Sequence, residues 1–238
     1  MTGDRFARVL ADMIDTAGDA RAVDIPVAAT VLILRDSEAG PEVLMIERPD
    51  RGSFAGAWVF PGGKTEPGDT GDTEEDVART AGVRETQEET GLVLLGEAMQ
   101  TLSRWNPPPT VTLRIRTWFF VARDPGGALT LAADEAVASD WVRPAEALER
   151  HGRGDVTLYP PTWVTLHDLA AHGDVDDIFA VARLSGVQQF ETLARQGPDG
   201  PLLLWPDDAE YDVDAADPAS GSRHRLDISG LPWVYTRD

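Results

Sequence analysis

The chain is organised around one stretch, residues 60–92, which reads FPGGKTEPGDTGDTEEDVARTAGVRETQEETGL. It opens with a Pro-Gly-Gly turn, crosses a loop rich in Gly and Asp, and ends in a segment dense in carboxylates. Thr73 and Asp76 have the spacing of a capping box, and Gly91 suits the position just after a last helical turn. The stretch therefore predicts a turn, a loop and an α-helix that ends near Gly91.

Three glutamates fall on one face of that helix. Glu85 and Glu89 are four residues apart and Glu88 lies between them, so their Cβ atoms are expected roughly 5–6 Å apart. Like charges at this spacing destabilise a helix unless a cation or water screens them. Because clustered carboxylate oxygens are the ligands that Mg2+ prefers, the pattern predicts a divalent-metal site.

These residues resemble the Nudix box, G-x5-E-x7-R-E-U-x-E-E-x-G-U, in which U is apolar. The matching residues are Gly63, Arg84, Glu85, Glu88, Glu89, Gly91 and Leu92, with Gly62 completing the usual glycine pair. The sequence departs from the box in three ways. Asp69 stands at the first Glu, Thr86 replaces an apolar residue, and residues 70–83 form a longer spacer than the seven residues of the box.

Composition sets limits on function. The 238 residues are 42% hydrophobic and 26% charged, as in an ordinary globular protein. With 21 basic and 41 acidic residues, the net charge is −20, which repels nucleic acid and anionic membrane surfaces. The chain has no cysteine, so it forms neither disulfides nor thiolate metal sites. No apolar run approaches the roughly 20 residues of a membrane span, and the N-terminus does not resemble a signal peptide, so a cytoplasmic enzyme is expected.

Hydrophobic periodicity divides the chain into three parts. Residues 1–24 are expected to contain a helix at 4–18, residues 25–150 the main domain, and residues 151–238 a mostly helical extension packed on that domain. Strands are predicted at 26–35, 42–48, 56–60, 93–103 and 111–123, with a short one around 138–142. In the extension, helices are expected to start near Pro161 and Asp174, a short helix at 187–195, and strands near 201–205 and 223–228.

The region around the last long strand offers candidate substrate contacts. Trp105, Asn106 and the prolines at 107–109 are expected to interrupt the sheet. In 111–123, apolar residues alternate with a polar face that carries Arg114 and Arg116. These arginines, with Arg104 upstream, could bind phosphate through the guanidinium fork, and Trp105 or Trp118 could stack on a base. An ordinary solvated face is an equal alternative.

The Nudix resemblance covers about residues 25–150 and implies an α/β/α sandwich with a mixed sheet. It implies Mg2+- or Mn2+-dependent hydrolysis of a nucleoside diphosphate linked to another moiety. In that reading Glu85 and Glu89 are the main metal ligands, Glu88 supplements them, and Gly63 lets the backbone approach the ion. Arg84 holds Glu85 in place, and Asp69 binds the ion or orients water. The general base is Glu85 or Glu135, the latter in the loop where several relatives carry an acid.

The lengthened box, the prolines before an R-x-x-T-x-F-F strand and the C-terminal extension resemble the Nudix CoA diphosphatases. The resemblance implies cleavage of CoA or acyl-CoA, although Arg48 and Arg51 do not reproduce the arginine spacing of the smaller CoA-hydrolysing relatives. The alternatives are an ADP-ribose or other nucleotide-sugar diphosphatase and a non-catalytic Nudix-fold ligand-binding protein. A DNA-binding sensor fits poorly because the extension is acidic, and an isopentenyl diphosphate isomerase would need a cysteine. The expected partner is a small nucleotide, with a homodimer as the candidate assembly.

Overall fold

The computed structural model describes residues 25–52, 54–109, 114–212 and 221–238. The helix predicted at 4–18 lies outside the described residues. Within those residues, no helix is both long enough and apolar enough to cross a membrane.

A mixed sheet forms the centre of the molecule. Its strands run in the order β3-β2-β1-β6-β5-β8, with β4 also pairing with β1 and β7 with β2. The pairs β1–β6 and β5–β8 are parallel, and the other pairs are antiparallel. The strands are β1 (Val27–Ser37), β2 (Gly40–Glu47), β3 (Trp58–Val59), β4 (Gly62–Lys64), β5 (Gln100–Asn106), β6 (Arg116–Arg123), β7 (Ala138–Val142) and β8 (Gln188–Glu191).

Strand β1 is central because it is apolar on both faces. Residues 31–34 are almost completely buried, and they alternate between the two sides of the sheet. Val31 and Ile33 belong to one hydrophobic cluster and Leu32 and Leu34 to the other. A strand buried on both faces reads as a continuous apolar run, which is what the sequence shows at 26–35.

The described helices are α1 (Glu74–Thr90), α2 (Pro144–Gly152), α3 (Pro160–Leu169) and α4 (Val175–Ser185), with a 3-10 turn at Gly96–Ala98. The capping box predicted at the start of α1 is confirmed. Asp76 N donates to Thr73 Oγ1 at 3.2 Å, and Thr73 N donates to Asp76 Oδ2 at 3.1 Å. Gly91 ends the helix in the left-handed region, at φ 74°.

Helix α1 covers one face of the mixed sheet, through Ala78 and Ala81. The other face packs against α3, α4 and a second, antiparallel sheet in the order β12-β11-β10-β9. The strands of that sheet are β9 (Leu193–Gln196), β10 (Pro201–Leu204), β11 (His224–Asp227) and β12 (Val234–Arg237). The sandwich with a mixed sheet predicted from the sequence is confirmed, and β10 and β11 confirm the strands expected near 201–205 and 223–228.

Two predictions about β5 are wrong. The strand expected at 93–103 begins only at Gln100, after the 3-10 turn. Trp105 and Asn106, expected to interrupt the sheet, are the last residues of β5, which lies between β6 and β8. The physical reason is that the prolines, which lack an N–H donor, start only at residue 107, just past the strand.

The short helix predicted at 187–195 is also wrong, because this segment forms β8 and β9. Strand β8 pairs in parallel with β5, and Phe190 stacks on Trp105 with 3.8 Å between ring centroids. Tertiary pairing therefore overrides the local helical propensity. As a result, the extension contains α3 and α4 but also five strands, so it is less helical than the sequence indicated.

The polar face expected on 111–123 is only partly polar. Residues 111–113 lie outside the described residues, and in β6 both faces are buried. Phe119 and Val121 face the extension, while Trp118 and Phe120 pack under α1. The alternation itself is confirmed, but the second face is a core face and not a solvated one.

Candidate active site

The glycine turn and α1 meet near the start of β1. Strand β4 pairs Gly62 with Thr30 and Gly63 with Ala29. The N–H of Gly62 donates to Glu89 Oε2 at 2.8 Å. A Cβ on Gly63 would lie 2.3–2.5 Å from the carboxylate atoms of Glu85, so a larger residue here would displace that carboxylate. The longer spacer therefore leaves the glycine pair in direct contact with the helical glutamates.

Three carboxylates converge beside this turn. Ligand oxygens of Glu85, Glu89 and Glu135 lie within 4.8 Å of one another. The Glu89 side chain is 1% exposed, Glu85 12% and Glu135 43%, so the cluster runs from the core to the surface. Three oxygen ligands around one point beside a glycine backbone suit a hard divalent cation such as Mg2+.

Glu135 reaches the helix because its loop is fastened at both ends. Ala132 N donates to the main-chain oxygen of Glu89 at 3.1 Å, and Val137 N donates to that of Glu47 at 2.9 Å. The loop is therefore tied to the end of α1 and to the end of β2. These two contacts place the Glu135 carboxylate over the helical glutamates.

The largely buried carboxylates of Glu85 and Glu89 would be stabilised in their ionised form by a nearby positive charge. Burial raises the pKa of Glu89 to about 8, although the Gly62 N–H and the charge of Arg48 act in the opposite direction. Burial also raises the pKa of Glu85, and the neighbouring charges of Glu88 and Glu135 add to the effect, while Arg84 opposes it. A bound cation would favour the ionised form of both carboxylates.

Arg48 is a site residue that the sequence analysis did not place here. Its Nη1 donates to Glu89 Oε1 at 2.8 Å and lies 3.5 Å from Glu135 Oε2. The residue directly follows β2, whose end faces the Glu135 loop. The available sequence signal was an arginine at the end of a buried strand, which alone does not point to a site.

Arg84 connects the helical acids that match the box to the loop before the helix. Its Nε and Nη2 donate to the two oxygens of Asp69 at 3.1 and 3.0 Å. Its Nη1 donates to Glu85 at 2.8 Å and to Glu88 at 3.1 Å. Its Nη2 also donates to the main-chain oxygen of Lys64 at 3.0 Å. The predicted contact between Arg84 and Glu85 is thus present in the structure.

Asp69 and Glu88 lie outside the group of three converging carboxylates. Burial would raise the pKa of Asp69, but hydrogen bonds from Arg84 and from Glu66 N outweigh that effect and lower it. Glu88 is 54% exposed and is held by Arg84. Both acids are linked to Glu85 through Arg84.

The arginines predicted to bind substrate are placed elsewhere. Arg116 donates to Glu74 and to Asn106, each at 2.7 Å. Arg104 lies 3.4 Å from Glu191 and over the Trp118 ring. Arg114 is partly buried, and its Nε has no hydrogen-bond partner among the described residues.

A cleft of about 880 Å3 opens beside the three carboxylates, between the mixed sheet and the extension. Trp105 lines it, whereas Arg104, Arg114 and Arg116 do not. Its charged lining residues are Arg48, Asp50, Lys64, Glu85 and Glu135. A cleft of this size accommodates a nucleotide-sized ligand.

Comparison with known proteins matches residues 24–161 to the family model described as the NUDIX domain. A Nudix hydrolase from Alicyclobacillus acidocaldarius is similar in structure, with a TM-score of 0.61 and 23% identity over 71% of this chain and 99% of that one. The MutT Nudix hydrolase from Burkholderia pseudomallei has a TM-score of 0.45 and 23% identity, over 61% of this chain and 98% of that one. The Nudix domain of Shewanella oneidensis NrtR, solved with ADP ribose, has a TM-score of 0.43 and 16% identity, over 58% and 86%. No curated protein matches the chain.

Proposed function

We propose a function from one premise: this chain belongs to the Nudix family, whose domain model covers more than half of its length. The chain is a hydrolase that acts on diphosphate bonds. We propose that its substrate is a nucleoside diphosphate linked to another moiety. The observation that carries this proposal is the convergence of Glu85, Glu89 and Glu135 beside the Gly62-Gly63 turn.

In the proposed site, Glu85, Glu89 and Glu135 would hold Mg2+, or Mn2+ in its place. Gly63 contributes its backbone, and Glu88 supplements the ligands from the exposed side of α1. A cation held by these residues would neutralise the diphosphate and lower the pKa of the attacking water. The residues fit such an ion because carboxylate oxygens meet at one point where the glycine removes the steric obstacle of a Cβ.

The protein's own groups then position the reaction. Arg84 holds the Glu85 carboxylate in place, and Asp69 holds Arg84. These two residues therefore orient the proposed ligand Glu85 without binding the ion themselves. The water proton is accepted by Glu85 or by Glu135. Arg48 lies between Glu89 and Glu135. Once its guanidinium leaves these two carboxylates, it is positioned to contact a phosphate oxygen of the substrate.

CoA or acyl-CoA is the first candidate substrate, and ADP-ribose or another nucleotide sugar is the alternative. The 3′-phosphate of CoA needs cationic contacts, but Arg104 and Arg116 are already paired with Glu191 and Glu74. Arg48 and Lys64 are the cations that line the cleft. For CoA to bind through Arg114 or Arg116, as the sequence suggested, these side chains would have to reorient, whereas ADP-ribose requires no such contact.

The test is a Mg2+-dependent assay over CoA, dephospho-CoA, ADP-ribose, NADH and nucleoside triphosphates, with products separated by chromatography and Glu89→Gln as the inactive control. Cleavage of CoA should give 3′,5′-ADP and a phosphopantetheine product. If ADP-ribose is cleaved and CoA is untouched, the CoA assignment is wrong while the diphosphatase assignment stands. If none of them is cleaved although ligands bind, the non-catalytic alternative is favoured.

Two arginine variants refine the substrate test. If Arg114 or Arg116 binds the 3′-phosphate, its change to Ala should reduce activity on CoA far more than on dephospho-CoA. Equal effects on both substrates would exclude that role. Assembly as a homodimer, exclusion of nucleic acid and location in the cytoplasm stay predictions from the sequence.

A further inference from the structure

The far end of the cleft is built by the C-terminal extension. Thr192, Leu203 and Trp205 line it, and all three lie beyond residue 161, where the match to the family model ends. Leu203 and Trp205 are buried members of the core cluster that packs on the mixed sheet. This wall is therefore a buried part of the fold that lies outside the residues matched to the family domain.

The floor of the cleft under this wall is made of small side chains. Ala28 and Thr30 of β1 lie on the same face as Leu32, and they pair with Thr117 and Phe119 of β6. Farther along β1 and β6, this face carries Leu32, Leu34 and Val121, which fill the core. The change from large to small residues along β1 leaves space between sheet and extension, which is why a cleft exists here.

The polar atoms of the large side chains at this end are already paired. Trp105 Nε1 donates to Ser103 Oγ and Trp205 Nε1 to Thr192 Oγ1, both at 3.0 Å. Asn106 Oδ1 accepts from Arg116 Nε at 2.7 Å. A ligand that needs hydrogen bonds along its edge, such as a nucleobase, would find these groups engaged.

The charged lining residues come from one side of the cleft, the side of β2, β4 and α1. The charged residues that line the cleft are Arg48, Asp50, Lys64, Glu85 and Glu135, and none of them comes from β5, β6 or the extension. Among the described lining residues, the side made by β5, β6 and the extension offers aromatic rings, Leu203, threonines, prolines and the paired amide of Asn106. The charged side of the cleft thus suits a metal-bound diphosphate, and the side made by β5, β6 and the extension suits an uncharged group.

We infer that the extension forms a subsite for an apolar group attached to the diphosphate, so that the preferred substrates are nucleoside diphosphates esterified with an apolar moiety. This inference rests on the proposed function, because the diphosphate is held at the three carboxylates. The volume of about 880 Å3 is large enough for a nucleotide and such a group together. Trp205 and Leu203 are then the residues that determine specificity.

The experiment uses alkyl esters of ADP, from methyl to decyl, which differ only in the apolar group. Hydrolysis of the diphosphate bond by water gives AMP and an alkyl phosphate. For the wild-type chain with Mg2+, kcat/KM should rise with alkyl length, by up to about fourfold per added CH2 until the subsite is full. Calorimetric titration of the same esters in EDTA should show the same trend in Kd without turnover, at a weaker overall affinity because no cation joins the diphosphate to the carboxylates.

Thr117→Phe fills the floor of the subsite and should remove the dependence on alkyl length in both measurements. Thr236→Phe makes the same change at an exposed position of β12, outside the cleft, and should keep the wild-type dependence. If Thr117→Phe does not fold, Ala28→Leu on the same floor repeats the test. Loss of the length dependence in Thr236→Phe as well would remove the support for a local subsite.

The failure of this inference and that of the proposed function can be distinguished. If the methyl ester is hydrolysed but neither kcat/KM nor Kd changes with alkyl length, the apolar subsite is overturned and the hydrolase function stands. If no ester is hydrolysed with Mg2+ but Kd still falls with length, the subsite stands and the proposed reaction is wrong.

Discussion

Arg84 and Asp69 face each other through two parallel hydrogen bonds, from Nε to Oδ1 at 3.1 Å and from Nη2 to Oδ2 at 3.0 Å. This paired contact uses both oxygens of the acid that the sequence analysis offered as a metal ligand. The same guanidinium holds Glu85 through Nη1. Asp69 is therefore connected to Glu85 through Arg84. Because it bonds to the arginine, the shorter aspartate side chain can occupy the position where the box has a glutamate.

Asp69→Asn should lower kcat/KM about 10- to 100-fold by loosening Arg84 and, through it, Glu85, as is typical of partners that orient a ligand. The amide would point an N–H group at the guanidinium in place of an acceptor oxygen. The measurement is the Mg2+ dependence of hydrolysis, in which the required Mg2+ concentration should rise while saturating Mg2+ restores part of the rate. Complete loss of activity at every Mg2+ concentration would instead indicate a direct ligand.

Glu89→Gln and Glu85→Gln should each reduce Mg2+-dependent hydrolysis by more than about 100-fold, because each removes a charged ligand of the proposed ion. The matched control is Glu88→Gln on the same helix face, where the acid is half exposed and outside the converging group. We expect it to lose much less activity. An equally large loss in Glu88→Gln would make Glu88 a principal ligand, and near-normal activity in folded Glu89→Gln would refute the site.

Thr86→Val should raise the free energy of unfolding by about 1 kcal/mol. Thr86 is completely buried in α1, and its hydroxyl has no hydrogen-bond partner among the described residues. An unpaired buried hydroxyl is unfavourable, and valine has nearly the same shape without it. Chemical denaturation of the purified chain measures the difference.

Thr90→Val is the matched control for Thr86→Val. Thr90 is buried in the same helix, but its hydroxyl donates to Thr86 O at 2.6 Å and accepts from Leu92 N at 3.2 Å. Its removal should therefore lower the free energy of unfolding. If both variants shift stability in the same direction, the hydrogen-bond explanation for Thr86 is wrong.

Asp208→Asn, next to the second sheet, should lower the free energy of unfolding by about 2 kcal/mol at neutral pH. The Asp208 side chain is 0% exposed and accepts from Arg225 Nε at 2.7 Å and from His224 N at 2.9 Å. Burial alone would raise its pKa, but these hydrogen bonds lower it from 3.8 to about 2. Because the folded pKa is depressed, the stabilisation is present above about pH 4 and is lost as the pH falls through about 2.

The difference in unfolding free energy between wild type and Asp208→Asn should accordingly shrink between pH 4 and pH 2. Asp134→Asn is the control, because the Asp134 side chain is 96% exposed. Its free energy of unfolding should be close to that of the wild type at every pH between 4 and 2. A constant difference for Asp208→Asn down to pH 2 would show that its charge is not the cause.

The sequence by itself determined the features that depend on neighbours a few residues apart. The capping box of Thr73 and Asp76, the left-handed Gly91 and the shared face of Glu85 and Glu89 follow from helix geometry. The continuous apolar run of β1 indicated a central strand because only a strand buried on both faces tolerates it. The family pattern added the sandwich fold and the diphosphate chemistry.

Only the tertiary structure decided what joins distant segments. Arg48 meets Glu89 across 41 residues and Glu135 across 87, through strand pairing and loop contacts that no local pattern encodes. Phe190 lies in a strand because β5 offers a free edge and Trp105 offers a ring to stack on. Arg116 is paired with Glu74 because α1 crosses β6 at that point. Contacts of this kind depend on how the layers pack, and that is settled by the burial of the whole core and not by any single stretch of sequence.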